Sequence, residues 1–266
     1  MCLILFAFHS HPEYPLVVAA NRDEFYDRPT AEASFWNDHP GVLAGRDLKE
    51  GGTWMGINRD GRFAAVTNYR DSRFARVNAQ SRGTLVSSYL SGGTDAETYL
   101  EELGGTAAEY RGFSLIIGDH STLFCYSNAT GQKILVEPGF HGLSNHLLDS
   151  PWPKVEKGKR LLQRVLNHDR TPAPEDILDL LADKERPPDN LLPDTGVGLE
   201  WERILSPIFI TSPVYGTCSS TALLLHKTGK VAFVERDYRP GPTEGREVRF
   251  EFTIEHPGFR KESFDE

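Results

Sequence analysis

Apolar positions along the chain come in short dense runs separated by Gly, Pro, Asn and Asp. The first two runs, residues 2–8 and 16–20, contain almost no polar position, the pattern of strands covered on both faces. The second run passes directly into Asn21-Arg22-Asp23-Glu24, which reads as the polar end of the strand. A hairpin through the intervening His/Pro-containing turn then brings Arg22 and Asp23 back beside Cys2. Residues 25–30 read as a loop with aromatic and charged side chains, continued through Trp36-Asn37 and Pro40-Gly41. Residues 42–45 form a short strand. Residues 53–58 and 62–68 flank Arg59-Asp60-Gly61, an Asp-Gly hairpin signal. Further strands are expected at 113–118, 122–127, 132–137, 139–144, 208–210, 221–225, 230–235 and 246–254. The last of these alternates strictly at Glu247-Val248-Arg249-Phe250-Glu251-Phe252 and so has one wet face.

Helical spacing of apolar positions appears over 82–90 and 95–103, the second preceded by Thr94 in a T-x-x-E capping box with Glu97. It appears again over 153–167, a basic amphipathic helix whose positive face reads as solvated, and over 174–185. The Pro/Gly/Asp-rich stretch 186–198 reads as a loop that divides no two cores. Strands and helices are grouped rather than alternating, which predicts an α+β fold: two stacked antiparallel sheets with a helix pair outside each. Residues 1–266 read as one domain, with 256–266 a loose tail.

Composition narrows the class. The net charge of −9 in 266 residues gives no basic footprint for nucleic acid or an anionic membrane. No apolar run is long enough to span a bilayer, and residues 2–8 lack the basic leader and cleavage pattern of a signal peptide. Cys2, Cys125 and Cys218 are an odd number without CxxC spacing, so neither a disulfide framework nor a zinc site is expected, and the cytoplasm is the default compartment.

Cys2 is the only reactive group of the first strand. It reads either as a small buried hydrophobe or as a nucleophile. Initiator-Met removal usually occurs before a small residue such as Cys. It would place an α-amine of pKa about 8 on the same residue as the thiol, so that base and nucleophile need no further positioning. Arg22 would then favour the thiolate, leaving Cys2 partly ionised at neutral pH, whereas Cys125 in its apolar strand should be inert. Asp23 would hold the ammonium formed by proton transfer. Arg22 and Asp23 have a second reading as a solvated or structural ion pair, and Asn68 and Asn145 as strand-end turn residues.

Asn21-Arg22-Asp23-Glu24 is the motif that names the NRDE family, also called the transport and Golgi organisation protein 2 family, and the chain resembles that family. Gly51-Gly52-Thr53-Trp54-Met55-Gly56, Thr67-Asn68, Gly142-Leu143-Ser144-Asn145 and Tyr215-Gly216-Thr217 match further family blocks in order, so the resemblance covers nearly the whole chain. The family is in turn similar to N-terminal nucleophile hydrolases of the penicillin V acylase and bile salt hydrolase branch. That resemblance implies a four-layer αββα sandwich and an amide-bond hydrolase or acyltransferase. It implies Cys2 as nucleophile with Arg22 and Asp23 beside it, Asn68 as an oxyanion donor, and Asn145 as a second Asn touching the amine or substrate. Asn21, Glu24, Phe25, Trp54 and Tyr69 are the candidate ligand-binding residues. The family pattern usually continues Tyr215-Gly216-Thr217 with Arg; here Cys218 stands in that place, and Arg70, Arg73 or Arg203 are the candidate substitutes.

The resemblance also implies a competing reading, since the family is linked to haem trafficking and to lipid or acyl-CoA homeostasis. A non-catalytic carrier would need no processed amine. Haem would be held non-covalently for want of a CxxCH motif, with Cys2, His9 and His11 as conceivable axial ligands. Aromatic residues Phe25, Tyr26, Trp36, Trp54 and Tyr69 around the mouth would suit a macrocycle or an acyl chain. The hydrolase needs no cofactor. A third reading is a preserved fold with a decayed site. The expected partner is a small molecule, acyl amide or haem, and the sequence leaves the oligomeric state open.

Overall fold

Side-chain parity along the first hairpin sets the layering. In β1 (Cys2–Phe8) and β2 (Leu16–Phe25), Ile4, Phe6, Leu16, Val18 and Ala20 point into a core shared with Leu43, Ile57, Phe63 and Ile116 of a second sheet. The alternate residues Leu3, Leu5, Val17 and Ala19 point the other way, onto Val155, Leu162, Ile177 and Leu181 of two helices. Successive side chains of a strand face opposite sides, so a strand apolar at both parities is sandwiched.

The structure is a computed structural model that describes residues 2–71, 73, 79–167, 171–241 and 245–254; Met1 and the expected tail at 256–266 lie outside them. The second sheet begins with β3 (Thr30–Phe35), β4 (Val42–Asp47), β5 (Met55–Asn58) and β6 (Phe63–Asn68). It continues through β7 (Phe113–Gly118), β8 (Leu123–Ser127) and β9 (Gln132–Leu135), each strand paired with the next. The first sheet adds β10 (Gly139–Leu143), β11 (Tyr215–Leu225), β12 (Lys230–Asp237) and β13 (Glu247–Thr253), in the order β10-β1-β2-β11-β12-β13. The named strand pairs are antiparallel. Helices α1 (Gly83–Ser91) and α2 (Ala96–Gly104) cover the outer face of the second sheet. Helices α3 (Pro153–Leu166) and α4 (Pro174–Leu181) cover that of the first. The result is the α+β, four-layer αββα sandwich that the grouping of elements predicts.

Several local expectations are corrected. Asn21-Arg22-Asp23-Glu24 is strand interior rather than strand end, because β11 runs alongside β2 as far as Phe25. β11 itself starts at Tyr215, so the Tyr215-Gly216-Thr217 block is strand, and its register shifts between Thr217 and Ser219. β3 occupies a stretch expected to be loop; small side chains let it lie at the sheet edge, where the Ala33 N–H donates to the Glu235 carboxylate at 2.8 Å. Residues 208–210 form no named strand but cross beside β11, Ile210 exchanging two bonds with Thr217. A short unexpected helix, α5 (Leu199–Leu205), precedes them. The second helix is capped by Asp95, whose side chain accepts from Thr98 N–H at 3.0 Å, not by Thr94. The fourth helix stops at Leu181.

Candidate functional site

Register brings the first residues of the chain to one end of the sandwich. Cys2 pairs with Arg22, Arg22 with Ser219, and Ser219 with Asp237, a row straight across four strands. Cys2 and Arg22 share the parity of Ile4 and Ala20, so this row faces the second sheet. A bulge at Cys218 flips the phase of β11, so Ser219 lies opposite Arg22 on the inward side while Thr217 lies opposite Asp23 on the outward side.

Between the sheets at this end lies a cleft of about 370 Å³. Its floor carries Cys2, Arg22, Glu24, Cys218 and Ser219; the facing wall carries Trp54, Val66, Asn68 and the start of α1 at Arg82 and Gly83. Gly52 holds that wall close: a Cβ there would sit 2.5 Å from the Gly83 carbonyl carbon. Among the described residues the lining has seven basic and seven acidic side chains, so the cleft is highly charged without net sign.

Asp23 also contributes to the wall, but its carboxylate turns to the helix side, accepting from Thr217 Oγ1 at 2.8 Å. It is 1 % exposed, and burial raises its pKa; the opposing pull comes first from Lys154. Lys154, at the start of α3, is itself buried, donates to the Leu205 carbonyl at 3.0 Å, and is pushed down to about 8 by burial. Beside it Arg70 pairs with Glu202 at 3.1 Å and lies over the Trp152 ring. Lys154 and Glu202 were not marked by the sequence as site residues, whereas Arg70 was named there as a candidate substitute for the missing Arg. The signal for Lys154 is its position four before Gly158 and eight before Leu162, on the buried stripe of an otherwise basic helix.

Burial pushes the Cys2 thiol above its ordinary value and Asp23 adds to the rise, while Arg22 and the Asp23 backbone N–H pull against it. With Met1 in place, desolvation outweighs the guanidinium; the thiolate expected at neutral pH belongs to the processed chain. Cys218 is likewise raised to about 11 and Cys125 to about 12, both by burial first.

The remaining expected site residues are dispersed. Asn145 is absent from the described cleft lining; 1 % exposed, it donates its amide to the Asn68 carbonyl at 3.1 Å and its carbonyl accepts from Arg70 N–H. Asn21 is wholly buried on the helix side, donating to the Leu181 and Ile208 carbonyls and accepting from Ser220, so it ties helices to sheet and is not a ligand residue. Phe25 is 47 % exposed against Tyr215, and Tyr69 stacks on His146; neither is in the lining. Of the aromatic residues expected around the mouth, Trp54 lines the cleft; Trp36 is buried in the core between the second sheet and its helices, and Tyr26 closes on Gly216. Arg73 pairs with Asp71 and Arg203 with Asp189 at the surface, so neither replaces the missing Arg. Arg239, bonded to Asp237 and to the Thr30 carbonyl, is the cation that acts on the Cys218 thiol alongside Arg22. Cys2 and Cys218 flank β2 on two different strands, roughly 10 Å apart at their Cα atoms, beyond disulfide reach without backbone movement. His9 follows the far end of β1, roughly 20 Å from Cys2, so it and His11 cannot share one ligand plane with that thiol.

No helix among the described residues is long and apolar enough to cross a membrane, and no group of three or more His, Cys, Asp or Glu is placed to hold a metal ion. Among known proteins, the family model described as Transport and Golgi organisation 2 matches residues 1–240. The Transport and Golgi organization protein 2 homolog of Bos taurus is 36% identical over 281 residues, covering 96% of this chain and all of that one. The Homo sapiens homolog is 37% identical over 278 residues with the same coverage, and the Drosophila melanogaster protein 28% over 263. Among solved structures, penicillin V acylase from Agrobacterium tumefaciens superposes over 93% of this chain and 90% of its own, with 11% identity and a TM-score of 0.49. The conjugated bile acid hydrolase from Clostridium perfringens covers 96% and 92%, at 9% identity and a TM-score of 0.48. By its sequence, matched along nearly its whole length, the chain belongs to the Transport and Golgi organisation 2 family.

Proposed function

We propose that processing which leaves Cys2 at the N-terminus turns this centre into an amide-bond hydrolase or acyltransferase. The observation that carries the reading is the pairing of Cys2 with Arg22 on the floor of a charged cleft. In the processed chain the amine of Cys2 takes the thiol proton and Asp23 stabilises the resulting ammonium. The sulfur attacks the amide carbonyl, and Asn68, held by Asn145, donates to the oxyanion. Such a donor is worth roughly 3 kcal/mol in the transition state. The ammonium returns its proton to the departing amine, leaving a thioester on Cys2 that water or an acceptor amine resolves. The polar lining favours substrates with charged groups on both sides of the amide over long unbranched acyl chains.

The test is intact mass on cell-purified protein, first for loss of Met1 and then for acylation at Cys2 after exposure to a panel of N-acyl amino acids. Acyl-Cys2 that disappears in Cys2→Ser supports the reading. A retained Met1 with no adduct removes it.

One observation favours a carrier instead: with Met1 in place burial raises the Cys2 thiol pKa, which weakens it as a nucleophile. A haem bound in the cleft would have Cys2 as its candidate ligand, its proton lost on binding, since no histidine stands among the described lining residues. Haem titration distinguishes the two, with a Soret band lost in Cys2→Ser marking the carrier.

A further inference from the structure

The seven basic and seven acidic side chains of the cleft cancel in sum but not in place. Arg28 is held by Asp47 and Arg239 by Asp237, both within the lining. Arg46 turns to Asp38 outside it and lies over the Trp36 ring. The acids are engaged in the same way. Glu32 pairs with Arg246, Asp23 accepts from Thr217, and Glu235 accepts from the Ala33 N–H and the Ser219 hydroxyl. Glu24 accepts from the Phe25 N–H and stands 3.9 Å from Arg28. Lys49 and Glu50 are exposed.

Two guanidiniums away from bulk water are left without a carboxylate. Arg22, 8 % exposed on the cleft floor, makes no side-chain hydrogen bond or ion pair with a described residue. Arg82, on the facing wall, donates to the Gly112 carbonyl at 3.0 Å and pairs with no carboxylate among the described residues. A guanidinium carries five donors and no acceptor, and burying it unpaired is costly. Arg82 also leads into α1, whose N-terminal end adds partial positive charge to the same wall. Burial pushes Arg82 down to about 10 and Arg111 adds to the fall, ahead of the opposing pull of Cys2 and Glu24, yet it stays charged at neutral pH.

We propose that Arg82 and Arg22 form a carboxylate subsite: the substrate of this cleft carries one carboxylate close to its amide, taken between the wall and the floor while Cys2 attacks. The inference rests on the hydrolase reading above and names one of the charged groups expected of that substrate. Two planar forks facing one cleft match the two oxygens of a carboxylate, and one such group supplies the negative charge that the internal pairs leave missing. A polyphosphate would meet the acidic side chains of the same lining. Arg82 touches the carboxylate and not the reacting atoms, so its part is specificity.

Arginine Nε–Hε NMR on Cys2→Ser tests this, with the two signals assigned through Arg22→Lys and Arg82→Lys. N-acetylglycine carries a carboxylate on the amine half of an amide and N-methylsuccinamic acid on the acyl half; N-acetylglycinamide and N-methylsuccinamide are their neutral counterparts. At least one acid should shift both arginine signals and bind about tenfold or more tighter than its neutral counterpart, and the acid that does so tells which half carries the charge. Arg82→Gln keeps a donor for the Gly112 carbonyl and loses the charge; it should bring that acid down to the affinity of its neutral counterpart, with Arg82→Lys recovering part of the difference. Equal affinity for the acids and their neutral counterparts overturns the proposal. So does a preference that survives Arg82→Gln, and so does inorganic phosphate that binds the two arginines more tightly than either acid. If Arg82→Gln does not fold, the comparison of acid with neutral amide and the two arginine shifts decide by themselves. Carboxylate binding without any acyl adduct on Cys2 in the unmutated chain would remove the hydrolase reading and leave the subsite standing.

Discussion

Asn21-Arg22-Asp23-Glu24 is a single stretch with two sides, and the sides do different work. Arg22 and Glu24 face the cleft with Cys2. Asn21 and Asp23 point into the helix layer, where Asn21 ties two loop and helix carbonyls to β11 and Asp23 accepts from Thr217. A polar run inside a strand is thus two motifs interleaved, one for the site and one for the packing behind it. Every second residue belongs to the other.

The sharpest break of that comparison is on the packing side. Asn21→Ala removes both donors to buried carbonyls and orphans Ser220; at about 1–3 kcal/mol for each unsatisfied buried group, a loss of roughly 3 kcal/mol is expected, read as the urea midpoint. Cys2→Ser on the cleft side should do the reverse, abolishing acyl-adduct formation while the urea midpoint moves by less than about 1 kcal/mol, since the swap is nearly isosteric. A midpoint as badly affected as that of Asn21→Ala would show Cys2 to be packing rather than chemistry.

Arg22→Ala should slow iodoacetamide labelling of Cys2 by about tenfold, the change for roughly one unit in thiol pKa, and Arg22→Lys by less, because the charge survives and the planar fork is lost. Equal rates in wild type and Arg22→Ala would remove Arg22 from thiol tuning. Cys125 is the internal control and should stay unlabelled, its thiol pushed up to about 12 by burial.

The smallest effect lies far from the cleft, at His141 and Asp149, whose side chains meet at 2.7 Å. Burial opposes charging of His141, but Asp149 and the Glu137 carbonyl outweigh it, and its pKa is raised; burial likewise opposes Asp149, whose pKa is nonetheless lowered by His141. The histidine's share of stability is complete below its unfolded value near 6.5 and is lost as pH rises through the folded value. The aspartate's share is present above about 3.8 and lost as pH falls through its depressed value. The pair should therefore add most between about pH 4 and 6.5. His141→Ala should lower the melting temperature by roughly 1–2 °C more at pH 5.5 than at pH 8.5, a partly exposed pair being weak.

How much of this was legible in the sequence follows from which signals are local. Apolar density gave both sheets and both helix pairs, and the Asp-Gly turn gave β5 and β6. β3 was missed because Thr30, Glu32 and Ser34 carry no strong apolar alternation and its place depends on partners such as Glu235, some 200 residues away. Cys2, Arg22 and Glu24 fall in the cleft because a hairpin register is a local matter. Asn21 was misplaced because a buried amide and a ligand-binding amide look alike until the strand's neighbours are known. The state of the Cys2 thiol depended on how much water reaches it, which no spacing reports. Lys154 carried a signal in its helical phase, overshadowed by the many basic residues around it.

The bulge at Cys218 has a consequence for how the gene can change. Position 218 can exchange side chains with little effect on where its neighbours point, since the extra residue itself sets the phase of β11. Losing the codon for 217 or 219 would be different in kind, because it takes Thr217 from Asp23 or Ser219 from Arg22, whereas losing 218 straightens the strand and leaves both pairs on their own faces. Variation across this family should therefore tolerate substitution or loss of a residue at 218 and hold the positions of Thr217 and Ser219 fixed.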